Sequence, residues 1–192
     1  MIFKQETQIL KCTFEKEHFS KVKAAFKDRW PVVYIIEDDE KGQAYIGEST
    51  NICTRICDHW NNTERRALKN IYIIFNKVFN KSVILDLEAF LIGYIVADGK
   101  YRLQNGNGGQ HVHNYYLRDE YQREFRHIWQ LLQDEGVVRH GITLLENQDL
   151  FKYSPYKILN LDQFNVAVQI LTDLKYDLGN NNQSRSFIID GG

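Results

Sequence analysis

The sequence predicts an α/β protein of the α+β type, with a small central three-stranded antiparallel sheet flanked by helices. A β-branched and aromatic run at residues 32–36 is followed by turn-forming residues at 38–42 and a second extended run at 43–47, which predicts a β-hairpin. Segments with apolar residues at helical spacing occur both before and after this hairpin. Strands and helices are therefore both expected, with a hairpin at the centre of the sheet.

Two helices are predicted next to the hairpin. Apolar residues alternate with Lys and Glu at helical spacing from Phe14 to Lys27, which predicts a leading amphipathic helix that ends before Pro31. After the hairpin, the hydroxyl of Ser49 or Thr50 can cap a second helix that runs to about Trp60.

The remaining elements complete the predicted domain. The run from Ile71 to Phe75 predicts a third strand, and a long helix is expected from a cap at Ser82 to Asp98, with Gly99 as its stop. Glycine and asparagine residues at 104–110 predict a loop, and the pattern from Arg118 to Gln133 predicts another amphipathic helix.

The composition limits the kind of protein this is. A formal net charge of -1 provides no overall basic field, so any contact with nucleic acid must depend on local patches. Three cysteines, an odd number, and the lack of a leading secretory signal argue against a disulfide framework, and we expect a cytoplasmic protein. We expect no membrane contact, because no apolar run approaches the roughly 20 residues needed to cross a bilayer.

The predicted long helix carries a carboxylate within an apolar stripe. Residues at positions i, i+4, i+7 and i+11 share one helical face, and here they are Ile84, Glu88, Leu91 and Ile95. A carboxylate at such a place is costly unless it is paired, hydrogen-bonded or bound to a cation. Glu88 is therefore either half of a structural ion pair with an Arg or Lys, or a metal ligand.

Other candidate residues lie on the hairpin and on the helix that follows it. Asn51, Arg55 and His59 share one helical face. Tyr34 and Tyr45 lie on paired strands, where the turn brings them close together. The alternatives are that the helical residues are solvated and that the tyrosines belong to the core.

These residues together resemble the GIY-YIG nuclease family over about residues 31–107. The family pattern is a strand ending in Gly-Ile-Tyr, a strand ending in Tyr-Ile-Gly, an Arg on the next helix, a Glu on a later helix and then an Asn. Val32 replaces the first glycine of the pattern. The matching residues are Val32-Val33-Tyr34, Tyr45-Ile46-Gly47, Arg55 with His59 one turn later, Glu88, and Leu103-Gln104-Asn105.

The resemblance implies a role for each residue. Glu88 would hold Mg²⁺ or Mn²⁺, hard cations that suit a carboxylate with waters and phosphate oxygens. Arg55 would stabilise the charge that develops on the phosphate. Tyr34 or Tyr45 would position or deprotonate the attacking water, and His59 could share that role.

The same resemblance implies a place for an asparagine and a common site. Asn105 would orient a loop or the phosphate, and Asn107 competes for this assignment. The five other side chains should converge on one solvent-accessible cleft: Tyr34, Tyr45, Arg55, His59 and Glu88.

DNA is the implied partner, with RNA left open, and local charge favours a nucleic acid. Between residues 47 and 82, six cations are opposed by three acids. The cations are Arg55, Arg65, Arg66, Lys69, Lys77 and Lys81, and the acids are Glu48, Asp58 and Glu64. A charge run of this kind is also typical of a solvated surface.

A zinc site is a weaker alternative. Cys53 and Cys57 are one helical turn apart near His59, and His111 and His113 lie on one side of an extended segment. The spacing fits no familiar zinc motif, and small buried thiols with a polar loop explain these residues better.

Three regions are predicted: a leading helix in residues 1–30, a GIY-YIG-like nuclease domain in 31–147, and a C-terminal segment in 148–192. The last has a predicted helix and strand that resemble the start of a Schlafen-related P-loop ATPase. It lacks the phosphate-binding G-x-x-x-x-G-K-[ST] motif, so we expect no ATP binding by that route. The alternative is a helix and strand that complete the nuclease domain.

The leading hypothesis is a metal-dependent DNA endonuclease, the nuclease module of a larger nuclease-ATPase used in repair, restriction or phage defence. In two alternative hypotheses the domain keeps the nuclease fold but does not cleave DNA. One is a non-catalytic module that binds or senses nucleic acid, and the other is an adaptor to an ATPase.

Overall fold

The structure, a computed structural model, describes residues 7–26, 29–106 and 114–148, together with residue 170. The strands in these ranges are β1 (Gln8–Thr13), β2 (Val32–Asp38), β3 (Gln43–Ser49), β4 (Asn70–Phe75) and β5 (Arg102–Leu103). The helices in the same ranges are α1 (Phe19–Ala25), α2 (Ile52–Asn61), α3 (Thr63–Arg66), α4 (Lys81–Asp98), α5 (Arg118–Asp134) and α6 (Ile142–Glu146), and a 3-10 turn covers Lys16–His18. No helix in the described ranges is long and apolar enough to span a membrane.

One mixed sheet organises the described part of the chain, with strand order β1-β4-β2-β3-β5. The predicted hairpin and third strand are confirmed as β2, β3 and β4, which pair antiparallel. The prediction of a three-stranded sheet was wrong: β1 adds an antiparallel edge next to β4, and β5 pairs parallel with β3. Both additions are edge strands, and β5 has two residues. Their pairing depends on a tertiary neighbour more than on a strong local pattern.

The centre of the sheet is buried on both faces. Along β2, Val33 and Ile35 point to one face, where they pack in a cluster with residues of α4 and α5. Tyr34 and Ile36 point to the opposite face, where they pack with residues of α1 and α2. The helices therefore form a layer on each side of the sheet, and Tyr34 faces the layer that contains α2.

Asparagine side chains cap the N-termini of α2 and α4. Asn80 Oδ1 accepts a hydrogen bond of 3.1 Å from Val83 N and caps α4, whereas the sequence predicted Ser82 as the cap. Asn51 Oδ1 accepts one of 3.4 Å from Thr54 N and caps α2, in place of the predicted Ser49 or Thr50. Each asparagine has the non-helical backbone that a capping residue requires.

The ends of the domain differ from the prediction in length. The leading helix is shorter than the predicted span from Phe14 to Lys27, because a 3-10 turn precedes α1. The predicted helix from Arg118 is confirmed as α5, and Gly99 ends α4 with φ 69°, in the left-handed region that favours glycine. Of the predicted C-terminal helix and strand, the structure describes residue 170 alone, so the other residues of both lie outside the described residues.

Candidate active site

Tyr34 lies at the centre of the candidate site. It occupies the middle of β2, directly opposite Gly47 of β3, and its side chain is fully buried. A Cβ atom at Gly47 would lie 2.3 Å from Tyr34 Oη and 2.5 Å from Cζ. The absence of a side chain at Gly47 therefore makes the room that the tyrosine ring occupies.

Helix α2 brings two side chains to the Tyr34 hydroxyl. Arg55 and His59 are four residues apart, so they project from the same face of α2. His59 Nε2 lies 2.6 Å from Tyr34 Oη, and Arg55 Nε donates a hydrogen bond to the same oxygen at 3.3 Å. His59 is fully buried and Arg55 is half-buried, so Arg55 lies at the solvent side of this group.

A second ring and a second guanidinium complete the cluster. Tyr45 of β3 lies with its ring centroid 4.8 Å from that of His59 and 6.3 Å from that of Tyr34. The guanidinium of Arg65 stacks on the Tyr45 ring, with its Cζ 3.9 Å from the centroid, and Arg65 Nη1 lies 3.1 Å from His59 Nδ1. Each ring nitrogen of His59 therefore contacts a different polar group.

The sequence did not single out Arg65 beyond its place in the basic stretch. The chain leaves α2 at Asn62, which then caps α3 by accepting a hydrogen bond of 3.0 Å from Arg65 N. Because the contact between Arg65 and His59 crosses this break, no helical period relates the two positions. The only available signal was the capping pattern at Asn62.

Burial and charge keep the inner groups of the cluster neutral. Burial, together with the charges of Arg55 and Arg65, lowers the pKa of His59 to about 3. Burial also raises the pKa of Tyr34; nearby Tyr45 adds to this rise, while Arg55 opposes it. At neutral pH the cluster therefore contains a neutral imidazole and a neutral phenol beside two guanidinium cations.

The carboxyl group of Glu88, on α4, also has a strongly shifted pKa. Burial, and after it the carboxylate of Glu48, raise its pKa to about 7 against the opposing effects of Lys81 and Arg55. Lys81 Nζ pairs with Glu48 Oε1 at 2.5 Å, while Glu48 Oε2 is buried without a hydrogen-bond partner among the described residues. A cation beside Glu48 and Glu88 would offset the cost of both carboxylates.

Asn105 and Glu88 both hydrogen-bond to the backbone of β3 along its outer edge. Beyond the short pairing with β5, Asn105 Oδ1 accepts from Ile46 N at 3.0 Å and Asn105 Nδ2 donates to Ile46 O at 2.8 Å. Ile46 therefore turns its backbone groups outward, and Glu48 is the next residue that does so. The backbone N–H of Glu48 hydrogen-bonds with Glu88, which lowers the pKa of that carboxyl group. Asn105 and Glu88 thus hydrogen-bond to successive outward-facing residues of β3, Ile46 and Glu48.

The structure brings the sequence-predicted residues to one end of β3. Tyr34, Tyr45, Arg55 and His59 are in mutual contact, and Glu88 is close enough to Arg55 for the arginine to lower its pKa. The amide of Asn105 is engaged with the backbone of β3, an arrangement that suits the loop-orienting role. Asn107 lies outside the described residues.

The cations of the predicted basic stretch fall into three groups. Lys69 and Lys81 form ion pairs of 2.5 Å with Glu40 and Glu48. Arg55 and Arg65 belong to the cluster, whereas Arg66 and Lys77 are exposed. Two of the six cations in this stretch therefore lie at the site.

Oxygen donors are the best candidates for holding a metal here. In the described ranges, no group of three or more His, Cys, Asp or Glu side chains could hold a metal ion. The thiols of Cys53 and Cys57 lie 3.5 Å from backbone carbonyl oxygens, those of Phe26 and Cys53 respectively. His111 and His113 lie outside the described residues. Glu88 with Glu48 fits a hard cation that takes its other ligands from water and phosphate oxygens.

The fold and the cluster define a class of domain: a small mixed sheet with a Tyr-Arg-His group on one face and a half-buried carboxyl at the edge of its hairpin. Residues 31–101 match the family model of the GIY-YIG catalytic domain. This range contains both tyrosines, Arg55, His59 and Glu88, and it ends before Asn105. Comparisons with curated proteins and with solved structures gave no match.

Proposed function

We propose that this domain is a metal-dependent endonuclease that hydrolyses phosphodiester bonds in DNA. One observation carries the proposal: an arginine and a histidine hydrogen-bond with one buried tyrosine beside a carboxyl group of raised pKa, all within the segment that matches a nuclease domain. A cluster with perturbed titration at the end of a strand is typical of catalytic sites.

Arg55 is suited to bind the phosphate. Arg55 is half-buried, its Nε donates to Tyr34 Oη at 3.3 Å, and its side chain also hydrogen-bonds with that of Tyr45. A guanidinium has five N–H donors, so further donors are left for a ligand. A guanidinium fork matches two phosphate oxygens and carries a permanent charge. Arg55 would therefore bind the scissile phosphate and stabilise the negative charge that builds on it during attack.

The tyrosines are suited to orient the attacking water and to handle its proton. Tyr34 Oη is held between His59 and Arg55, and Tyr45 lies beside both Tyr34 and His59. The arginine charge beside Tyr34 opposes the effect of burial on its pKa, which helps the phenolate form to exist. One of these tyrosines would orient the water and, once it has released its own proton to bulk water, its phenolate oxygen would take the proton that the attacking water loses.

Glu88 would hold Mg²⁺ or Mn²⁺, with Glu48 beside it. When bound, the cation supplies Lewis acidity and lowers the pKa of a coordinated water. Glu48 would remain oriented by Lys81, and Glu88 by the backbone N–H of Glu48.

Plasmid nicking tests this proposal. Purified protein with Mg²⁺ or Mn²⁺ should convert supercoiled DNA to the nicked form, and Glu88→Gln and Arg55→Met should abolish the conversion while their thermal unfolding stays cooperative. Glu64→Gln and Arg123→Met, at exposed positions outside the cluster, are matched controls that should cut like the wild type. Undiminished cutting by Glu88→Gln would reject the metal assignment.

The same assay separates the alternatives. DNA binding with a steep salt dependence, but without metal-stimulated cutting, would favour a non-catalytic binding or sensing module. Parallel reactions with single-stranded RNA decide whether RNA is also a substrate.

The larger nuclease-ATPase in repair, restriction or phage defence stays part of this proposal. It depends on the sequence pattern of residues 148–192. Tight binding of this chain to a separate ATPase polypeptide, with no cutting of DNA, would favour the adaptor alternative.

A further inference from the structure

The two ring nitrogens of His59 face different partners, and one of these partners can only donate. Arg65 Nη1 lies 3.1 Å from His59 Nδ1. A guanidinium has N–H donors and no acceptor, so a hydrogen bond between these two nitrogens requires an unprotonated Nδ1. If Nδ1 carried a proton, two donors would face each other at this distance.

The proton of the neutral ring must then be on Nε2. His59 Nε2, which is 2.6 Å from Tyr34 Oη, then donates its proton to that oxygen, and Arg55 Nε donates to the same oxygen at 3.3 Å. A phenol oxygen has two lone pairs and one proton, so these two donors fill its acceptor capacity. The Tyr34 proton must point away from both His59 and Arg55.

Arg65 is held firmly enough to impose this choice. Its backbone N–H is fixed by Asn62 Oδ1 at 3.0 Å, and its guanidinium stacks on the Tyr45 ring at 3.9 Å. The fully buried His59 has no solvent to provide another acceptor or donor at Nδ1.

We propose that Arg65 is a positioning residue that sets the tautomer of His59. Because of Arg65, His59 is a hydrogen-bond donor to Tyr34 and is not a proton acceptor in the resting site. His59 and Arg55 both donate to Tyr34 Oη, so both stabilise negative charge that develops on this oxygen. The catalytic consequence depends on the proposed nuclease function, whereas the tautomer itself does not.

The shifts of the imidazole nitrogens test the proposal directly. Long-range proton–nitrogen correlation spectra of the full chain, labelled with ¹⁵N, distinguish a protonated from an unprotonated ring nitrogen, and the signal lost in His59→Gln identifies His59. In the wild type, Nε2 should be protonated and Nδ1 unprotonated. In Arg65→Met, which keeps the apolar stem and removes the donor, this difference should collapse or reverse. Arg66→Met, at the exposed neighbouring position, should leave the wild-type pattern unchanged.

Two results would overturn the proposal: a protonated Nδ1 in the wild type, or an unchanged pattern in Arg65→Met. Nicking is measured on the same samples. Arg65→Met should cut slower by on the order of tenfold to a hundredfold, by analogy with the losses seen when a group that orients a metal-binding histidine is removed. If the wild type does not cut DNA, the proposed function fails, while the nitrogen shifts still decide the tautomer.

Discussion

The hydroxyl oxygen of Tyr34 lies 2.6 Å from His59 Nε2, and both side chains are fully buried. One comes from the central strand and the other from the last turn of α2. Because neither reaches solvent, His59 Nε2 depends on Tyr34 Oη for its hydrogen bond, and a change at one position must affect the other.

Tyr34→Phe removes the hydroxyl that connects Arg55 and His59. We expect cleavage to fall strongly and stability to drop by about 1–3 kcal/mol, because His59 Nε2 is left buried without a partner. Nicking assays and urea unfolding measure the two effects. Tyr94→Phe is a matched control, since its hydroxyl bonds with Glu146 at 3.0 Å away from the site and its loss should affect stability alone. Wild-type cutting by Tyr34→Phe would exclude a catalytic hydroxyl here.

His59 should make stability depend on pH. Its folded pKa of about 3 is below the ordinary 6.5, so below pH 6.5 the unfolded chain binds a proton that the folded chain does not. Stability therefore falls as pH decreases from 6.5 towards 3. Between pH 6.5 and 4.5 the wild type should lose about 2 kcal/mol more than His59→Gln. Denaturant unfolding at both pH values measures this, and parallel losses in the two proteins would contradict the expectation.

Glu88 should have the opposite effect. Its folded pKa of about 7 exceeds the ordinary 4.5, so the folded state holds a proton that the unfolded chain has lost, and stability falls as pH rises through this range. In metal-free buffer at pH 8, Glu88→Gln should be more stable than the wild type by about 1 kcal/mol, a value reduced for solvent screening of a half-buried group. The gain should disappear at pH 5.

Metal addition provides the control for Glu88. Mn²⁺ should raise the melting temperature of the wild type and leave that of Glu88→Gln unchanged, because binding to the folded state alone stabilises it. Equal shifts in the two proteins would place the cation elsewhere.

Gly47→Ala should damage the site from the opposite strand. The added Cβ would lie 2.3 Å from Tyr34 Oη, and the buried ring has no room to move. We expect a loss of about 1–3 kcal/mol from overpacking, together with loss of cleavage. Gly106→Ala is the matched control, because its Cβ would meet no described atom within 4 Å. A Gly47→Ala protein as stable as this control would be inconsistent with the register of β2 and β3.

Asn105→Leu tests the role of the amide at the edge of β3. The change removes two hydrogen bonds to Ile46, so we expect stability to fall by about 1–3 kcal/mol and cleavage to decrease as the strand edge loosens. Asn105→Asp keeps the acceptor oxygen and loses the donor, and should give an intermediate effect. Thermal unfolding and nicking rates measure both variants. Wild-type stability in Asn105→Leu would show that the edge needs no such contact.

Several parts of the structure followed from local patterns. Alternation with a central turn was enough to predict β2 and β3, and helical spacing was enough to predict α4 and α5. The unusual position of Glu88 could also be predicted, because a carboxylate within an apolar helical stripe can be recognised from the sequence alone. The edge strands β1 and β5 were missed because their stability depends on the neighbouring strand.

The sequence by itself determined the hairpin, the long helix and the residue types available for chemistry, since each depends on a short period along the chain. Tertiary structure alone decided the rest. It placed Arg65 on His59 across a break between two helices, and it placed Glu48 beside Glu88 at the edge of β3. The cause is physical: these contacts join segments whose relative position is set by packing on the two faces of one sheet, so the proton positions in the cluster depend on neighbours that no local pattern reveals.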